Sequence, residues 1–349
     1  MANRLCNDVD LFTIVMPTMD RPKFLKRSLD FLASQGFEGQ VVIPDGSNDA
    51  MSFENKQIVD NQEEIKLVYM RTGGDFNNVW IETYQALKDI EFKYSLFYPD
   101  DDFFFLDEID YCLDFLENNK DYVSAKGRFL WIERCQYKNK DTGCQYKNKD
   151  TERLRGKPNR MRFKNLPMYS FTEFADERHI ADMFNHYCHL FFSVMRGEAF
   201  LNALEQVPRY FPTTGWLDQF AFTIVCGVRG KSHTSSRLYC VRQSHPAQGQ
   251  YRTQAAERHL HWPMILASPD FSDNCQSFRW CLIDNCREFV SASDELLTSV
   301  IDEGLVTLIQ RGYGVRPPLE RQDHELMSRL KDSSSRDHQR MRQVIQNVL

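Results

Sequence analysis

Along the first hundred residues, short apolar runs alternate with amphipathic stretches of helical period. Leu11, Phe12, Ile14, Val15 and Met16 form a run rich in β-branched and aromatic side chains, which predicts a strand that Pro17 ends. Asp20, Arg21 and Pro22 read as a helix start, Phe24, Leu25, Leu29 and Leu32 as its apolar stripe, and Gly36 as its stop. Val41, Val42 and Ile43 predict a second strand, followed by the polar loop Pro44-Asp45-Gly46-Ser47-Asn48-Asp49. A third strand is expected over 65–70, a helix over 78–87 and a fourth strand over 94–98. This β-α-β-α-β order implies an α/β fold with a mostly parallel central sheet flanked by helices. Ligands in such sheets bind beyond the carboxyl ends of the strands. The loops holding Thr18, Asp20 and Arg21, then Asp45 and Ser47, then Asp100, Asp101 and Asp102 all follow strands, so they converge on one edge.

Further along, the pattern predicts a strand over 190–195, helices over 198–204 and 221–226, and a late strand over 238–241 leading to Gln243-Ser244-His245. Beyond 255 the period is helical, with helices expected over 282–290, 295–310 and 321–330. A last amphipathic piece carries Met341, Val344, Ile345 and Val348 on one side. Between these blocks an octapeptide, Cys135-Gln136-Tyr137-Lys138-Asn139-Lys140-Asp141-Thr142, recurs identically from Cys144 to Thr151 and is followed by Arg153, Arg155, Lys157, Arg160 and Arg162. Such a polar stretch buries little and is expected to be a mobile loop, its basic residues a solvated run. The expected organisation is one domain over 10–255, containing a mobile loop at 135–165, and a helical region over 256–349.

Composition narrows the function classes. A chain of 349 residues with 42% hydrophobic and 26% charged residues is an ordinary globular protein with material for a large core. A net charge of −6 excludes nucleic-acid binding through bulk positive charge. No apolar run approaches the ~18 residues of a spanning helix, which leaves peripheral membrane contact open, and no signal core follows Arg4. The 10 cysteines show neither CxxC pairs nor Cys/His ligand spacing, so reduced thiols and a cytoplasmic address are expected.

The sharpest chemistry is the run Phe97-Tyr98-Pro99-Asp100-Asp101-Asp102-Phe103-Phe104-Phe105. Two carboxylates about 6 Å apart repel by roughly 2–3 kcal/mol at an effective dielectric near 20. A divalent cation relieves that repulsion, and Mg²⁺ and Mn²⁺ prefer hard oxygen ligands. An Asp triplet alone is more often a solvated turn, but aromatics on both sides draw this one toward a packed rim. Asp45 by itself is a turn former, and Asp218 is a candidate helix cap.

Four features in order resemble a GT-A fold glycosyltransferase, nearest to glycosyltransferase family 2. They are Thr13-Ile14-Val15-Met16-Pro17-Thr18-Met19-Asp20-Arg21, Val41-Val42-Ile43-Pro44-Asp45-Gly46-Ser47-Asn48-Asp49, the DxD-like Asp100-Asp101-Asp102, and Trp216-Leu217-Asp218. The resemblance spans roughly residues 10–250. It implies a metal-dependent, inverting transferase that moves a sugar from a nucleotide-sugar donor to a hydroxyl of a glycan or lipid-linked saccharide. It further implies that Pro17, Thr18, Asp20, Arg21, Asp45, Ser47, Arg71, Asp100 and Asp101 line the donor site. Asp100, Asp102 and His245 would hold Mn²⁺ or Mg²⁺, with Asp101 a lesser ligand, and Asp218 would be the general base.

The chain departs from that pattern at Pro44, where an acid is usual, at Asp20, where Asn is usual, and at Leu217, where Glu is usual. Glu82 occupies the region where the family often has an arginine, with Arg71 the nearest cation. A sugar-phosphate nucleotidyltransferase would want a Gly-rich basic loop after the first strand, which Pro17-Thr18-Met19-Asp20-Arg21 is not. A non-catalytic nucleotide- or glycan-binding descendant stays open on Pro44 and Leu217. His186 and His189 read as structural or acceptor-lining. Trp80, Trp131 and Trp216 are core residues or sugar platforms. Gln276-Ser277-Phe278-Arg279-Trp280 matches a polysaccharide-synthase string by chance.

Overall fold

The computed structural model describes residues 4–72, 79–133, 138–139, 143–144, 160–162, 170–172, 177–186, 189–211, 216–244, 271–312 and 321–348. The N-terminal half alternates as expected: β1 (Phe12–Val15), α1 (Pro22–Ser34), β2 (Gln40–Asp45), α2 (Asp49–Asp60), β3 (Lys66–Arg71), α3 (Val79–Leu87) and β4 (Tyr94–Phe97). There follow β5 (Phe103–Phe104), α4 (Leu106–Asn118), β6 (Tyr122–Glu133), β7 (Lys138–Asn139), β8 (Gly143–Cys144), β9 (Arg160–Arg162) and α5 (Glu177–Asn185). The remainder is β10 (Val194–Arg196), α6 (Gly197–Gln206), α7 (Trp216–Gly227), β11 (Lys231–Ser244), α8 (Phe271–Cys286), α9 (Asp294–Gly312), α10 (Arg321–Lys331) and α11 (Arg336–Val348).

The α1 stripe is buried as the spacing requires, with Ser28 and Phe31 added to it. Gly36 stops the helix with φ 77°, a left-handed conformation that an L side chain resists, while its amide bonds back to Ala33 O at 2.8 Å. Three helices, α2, α4 and α5, escaped the sequence pattern. α2 has few apolar residues and is launched by Asn48, whose side chain accepts from the Met51 amide at 3.1 Å. α4 starts immediately after the aromatic run and has no side-chain cap.

The main sheet runs β3-β2-β1-β4-β10-β6-β11-β5, with β9 on β6. Its first four strands are parallel, so the carboxyl ends of β1, β2 and β4 share an edge. β10 is antiparallel to both β4 and β6, and β11 is parallel to β6. β11 therefore points the same way as β4, and its carboxyl end, Arg242 to Ser244, reaches the same edge. Only residues 98–102 link β4 to β5, although three strands lie between them in the sheet order. Five residues with a turn among them (Asp102 N to Pro99 O, 3.1 Å) are too short to cross a flat sheet at ~4.8 Å per strand, so the sheet curls.

Four expectations shift. The helix expected over 282–290 is Phe271–Cys286. The strand expected over 190–195 is only Val194–Arg196, because Leu190 to Ser193 form a turn closed by the Ser193 amide on Leu190 O at 2.8 Å. The helix expected over 221–226 starts at Trp216, which places Asp218 inside its first turn. The late strand expected over 238–241 runs from Lys231 to Ser244. Of the stretch 135–165, the described residues are β7 paired with β8 and β9 paired with β6, and the rest, including the expected mobility, lies outside the described residues.

One apolar cluster spans both faces of the parallel strands and takes in Phe278, Leu282, Leu297 and Ile301 of α8 and α9. α9 comes so close to α5 that a Cβ on Gly304 would lie 2.2 Å from the Phe184 ring. A second cluster joins Leu326, Met341 and Val344 of α10 and α11 to Phe31, Phe103, Phe105, Leu130, Leu238 and Val241. It is pinned by Arg340, whose Nη2 meets Glu108 Oε1 at 2.9 Å and whose Nη1 donates to Leu238 O at 3.2 Å, with Asp107 also paired. Among the described residues, no helix is long and apolar enough to cross a membrane.

Breaking a buried ion pair by removing one partner costs about 3–5 kcal/mol, whereas exposed pairs are worth little. Glu108 keeps Arg237 at 2.7 Å, so Arg340→Met is expected to lower unfolding stability by about 3 kcal/mol in urea titration. Lys26→Ala, which removes an exposed i,i+4 pair, is expected to leave the midpoint unchanged.

Candidate functional site

The site begins at Pro17. Met16 N and Thr18 N bond to Val42 O and Pro44 O on β2, at 2.8 and 3.0 Å. The nitrogen between them faces the β4 side and carries no hydrogen, so pairing with β4 ends there and the two chains part. Thr18 and Arg21 then turn toward the end of β4, while Asp20 turns toward the β2 loop. Asp20 has φ 52°, a region that short Asn and Asp side chains tolerate best among L residues. This accounts for an Asp where the resembling family has Asn. Its Oδ1 accepts from Asn48 N at 3.0 Å and Nδ2 at 2.7 Å, and its amide donates to Ser47 Oγ at 2.7 Å.

Asp45 ends β2 fully buried. Its Oδ1 accepts from the Ser47 amide at 2.8 Å, and its Oδ2 from Asn55 Nδ2 at 3.0 Å and from the Tyr69 hydroxyl. Both oxygens thus organise the loop in the ligand-free chain. Ser47 is equally buried and accepts from Asn55 Nδ2 at 3.1 Å. Arg71 pairs in register with Asp45 and stands half exposed at the rim, ion-paired with Asp49 in the first turn of α2.

All three aspartates of the triplet are buried, and the positive charge they require comes from the chain itself. Arg21 bridges Asp100 and Asp101, reaching Asp101 Oδ2 at 3.2 Å. Thr18 Oγ1 donates to Asp100 Oδ2 at 2.8 Å, and Ser28 Oγ to the Asp100 carbonyl at 2.6 Å. Arg242 Nε donates to Asp102 Oδ2 at 2.7 Å, and Gln243 Nε2 donates to the Asp101 carbonyl. Arg27 lies over Phe24 and Phe103, 4.7 and 5.2 Å from their centroids; burial lowers its guanidinium to about 10 while Asp101 and Asp100 pull it up. Burial also works against the charge of Arg21, but Asp100, Asp101 and Asp102 together hold it above its ordinary value. The sequence reasoning had only an external cation to offset the repulsion, and it missed Arg27, Arg242 and Gln243. The available signal was the late strand itself, whose polar end Arg242-Gln243 runs into the Ser244-His245 pair already singled out.

Whether a divalent cation also fits turns on Asp102. Its Oδ1 is buried with no hydrogen-bond partner among the described residues, as a ligand oxygen awaiting a cation would be. Among the described residues no three His, Cys, Asp or Glu groups form a cage, so a cation here would draw further oxygens from diphosphate and water, as Mg²⁺ characteristically does. His245 lies outside the described residues.

Asp218 is brought near the same edge by a chain of rings. Trp80 Nε1 donates to Asp218 Oδ2 at 2.7 Å, and the Gln219 amide to Oδ1 at 2.8 Å. Trp80 stacks on Phe222 at 4.9 Å and packs against Phe97 at 5.5 Å, the last residue of β4. Phe191 joins Trp80 to Phe192, which lies beneath Arg242 with its centroid 4.1 Å from the guanidinium carbon. Trp80 is therefore a core residue whose indole N–H is bonded to Asp218. Glu82 approaches Gly46, and His189 stands edge-on to Phe191 at 5.1 Å. His186 meets Asp182 at 3.5 Å, away from the triplet's bonding network. Arg279 of the Gln276-to-Trp280 string is held by Asp302 of α9 at 2.7 Å, a helix-to-helix link.

Burial raises the Asp100 carboxyl to about 6 against the pull of Arg21, and the Asp102 carboxyl to about 7 against that of Arg242. The folded chain thus binds these protons more tightly than the unfolded one, where an aspartate titrates at about 3.9. The stability they contribute is complete below about pH 3.9 and is lost as pH rises through about 6 to 7. In metal-free buffer the melting temperature is expected to fall between about pH 4 and about pH 7, and Asp102→Asn is expected to flatten that fall.

No protein-family model and no curated protein matches the chain. Among solved structures, S. aureus TarS 1-349 in complex with UDP-GlcNAc is similar at TM-score 0.52 and 17% identity, covering 91% of this chain and 79% of that one. The same TarS fragment without that ligand gives 0.51 at 13% identity over 91% and 79%, and its UDP complex gives 0.50 at 14% over 90% and 78%. At these identities the likeness is one of fold. The curled mixed sheet, its flanking helices and its helical C-terminal part give this chain a GT-A-like fold, the fold of the glycosyltransferase TarS.

Proposed function

We propose that the chain is a glycosyltransferase that binds a nucleotide-sugar donor at the carboxyl edge of its parallel strands and passes the sugar to a hydroxyl acceptor with inversion. The observation that carries this reading is the meeting, at one edge, of the loops after β1, β2 and β4 with the end of β11. Support comes from the shared fold with TarS, which has been crystallised with UDP-GlcNAc and with UDP. The acceptor is proposed to be a glycan or a lipid-linked saccharide.

In this reading Pro17, Thr18, Asp20, Arg21, Asp45 and Ser47 shape the nucleoside side, and Arg71 waits at its rim. Asp100 and Asp101 orient the ribose and phosphates through the Arg21 bridge. Asp102, with Asp100 and His245, would hold Mn²⁺ or Mg²⁺, which when bound supplies Lewis-acid neutralisation of the diphosphate leaving group. Asp218 takes the proton of the acceptor hydroxyl as its oxygen attacks the anomeric carbon on the face opposite the departing diphosphate. The Trp80 and Gln219 bonds fix the direction of that carboxylate.

One observation favours a non-catalytic binding module instead: Asp218 is 1% exposed and both of its oxygens are already hydrogen-bonded. Calorimetry and donor turnover separate the two readings. Wild type is expected to bind UDP with Mn²⁺, and Asp102→Asn to lose most of that affinity. Asp218→Asn is expected to keep UDP affinity while transfer or hydrolysis of a nucleotide sugar falls by about 10²–10⁴-fold. Undiminished turnover in Asp218→Asn removes Asp218 as the base; UDP binding without turnover of any nucleotide sugar supports the binding module.

A further inference from the structure

Arg242 is bound to the triplet in a way that Arg21 and Arg27 are not. Arg21 is held by two carboxylates at once, and Arg27 is enclosed between Phe24 and Phe103. Arg242 grips Asp102 through Nε at 2.7 Å, next to the Asp102 oxygen that has no hydrogen-bond partner among the described residues. Its side chain is 13% exposed, against 0% for that of Asp102, so Arg242 is the more exposed partner of the pair. It also sits over an aromatic ring, its guanidinium carbon 4.1 Å from the Phe192 centroid, a contact that does not depend on Asp102.

We propose that Arg242 and a divalent cation compete for Asp102: in the ligand-free protein the guanidinium holds the carboxylate, and when the cation takes Asp102 it turns on Phe192 toward the donor's diphosphate. This rests on the nucleotide-sugar reading above. A cation at the free oxygen would place two positive groups on one carboxylate, and their repulsion ejects the one with somewhere else to go. A diphosphate offers that place, since a guanidinium matches phosphate oxygens in a two-pronged bond. β11 carries Arg242 on the edge where the diphosphate would lie. The ligand-free chain thus keeps its acids neutralised, and cation and donor displace the internal partner together.

Calorimetry on the full chain with Mn²⁺ alone, and then with UDP in the presence of Mn²⁺, tests the exchange. Arg242→Gln is expected to tighten Mn²⁺ binding about 10-fold, because a charge-assisted partner of Asp102 is gone, and to weaken UDP binding about 10-fold or more. Arg242→Lys keeps the charge without the fork, so both shifts are expected to be smaller in the same directions; it carries the test if Arg242→Gln fails to fold. Wild type that binds UDP with Mn²⁺, beside variants whose Mn²⁺ affinity is unchanged or weaker, overturns the exchange while leaving the nucleotide-sugar reading standing. Unchanged UDP affinity in the variants overturns it too. Wild type that binds no UDP with Mn²⁺ overturns both.

Discussion

Three adjacent carboxylates buried at the end of one strand are the constraint around which this structure is arranged. Asp100, Asp101 and Asp102 are 0%, 5% and 0% exposed, and such a cluster keeps its charge only beside positive charge. Their nearest cations come from far along the chain: Arg21 from the start of α1 and Arg242 from the end of β11. Meeting both demands brings residue 242 to the edge where β1 and β4 end, which in turn requires the antiparallel β10 and the curled sheet. Phe103 and Val241, each next to a charged member of the pair, close the reverse side against Met341 and Val344 of α11. The C-terminal helices therefore brace the strands that hold Asp102 and Arg242.

The same wiring gives the edge its chemical character. Its charges are balanced internally, so a nucleoside diphosphate and a cation would bind by exchanging partners with groups already in place. A second layer of rings, running from Phe192 through Phe191 and Trp80, links the Arg242 end of the acidic triplet to the proposed base Asp218. Displacing Trp80 would thus disturb Asp218 and the end of β4 together.

The parallel half of the sheet was legible because its elements are spelled locally: β-branched runs, a helix stripe at 3.6 spacing, and Pro17 and Gly36 as punctuation. So was the convergence of three loops, since carboxyl ends of parallel strands must share an edge. α2 was not legible, because Asn48 launches a helix whose buried residues are mainly Ser52, Asn55 and Val59. Asn55 is there to serve Asp45 and Ser47, a polar core that hydrophobic periodicity cannot register. The long strands β6 and β11 were hidden by Lys126, Arg128, Ser232 and Arg242, polar residues inside strands whose partners lie elsewhere in the fold. The polar end of the late strand marks Arg242, but not the aspartate 140 positions away that it pairs with; the chain direction of β11, set by β10, supplies that.

The most direct test of the account is a crystal structure of the chain with UDP and Mn²⁺, with anomalous scattering used to locate the metal. The account predicts a manganese peak against Asp102, the nucleotide along the loops of Thr18 and Asp45, and the Arg242 guanidinium moved from the carboxylate to the phosphates. A nucleotide bound elsewhere, or bound at this edge with Asp102 still gripped by Arg242 and no metal beside it, would contradict it.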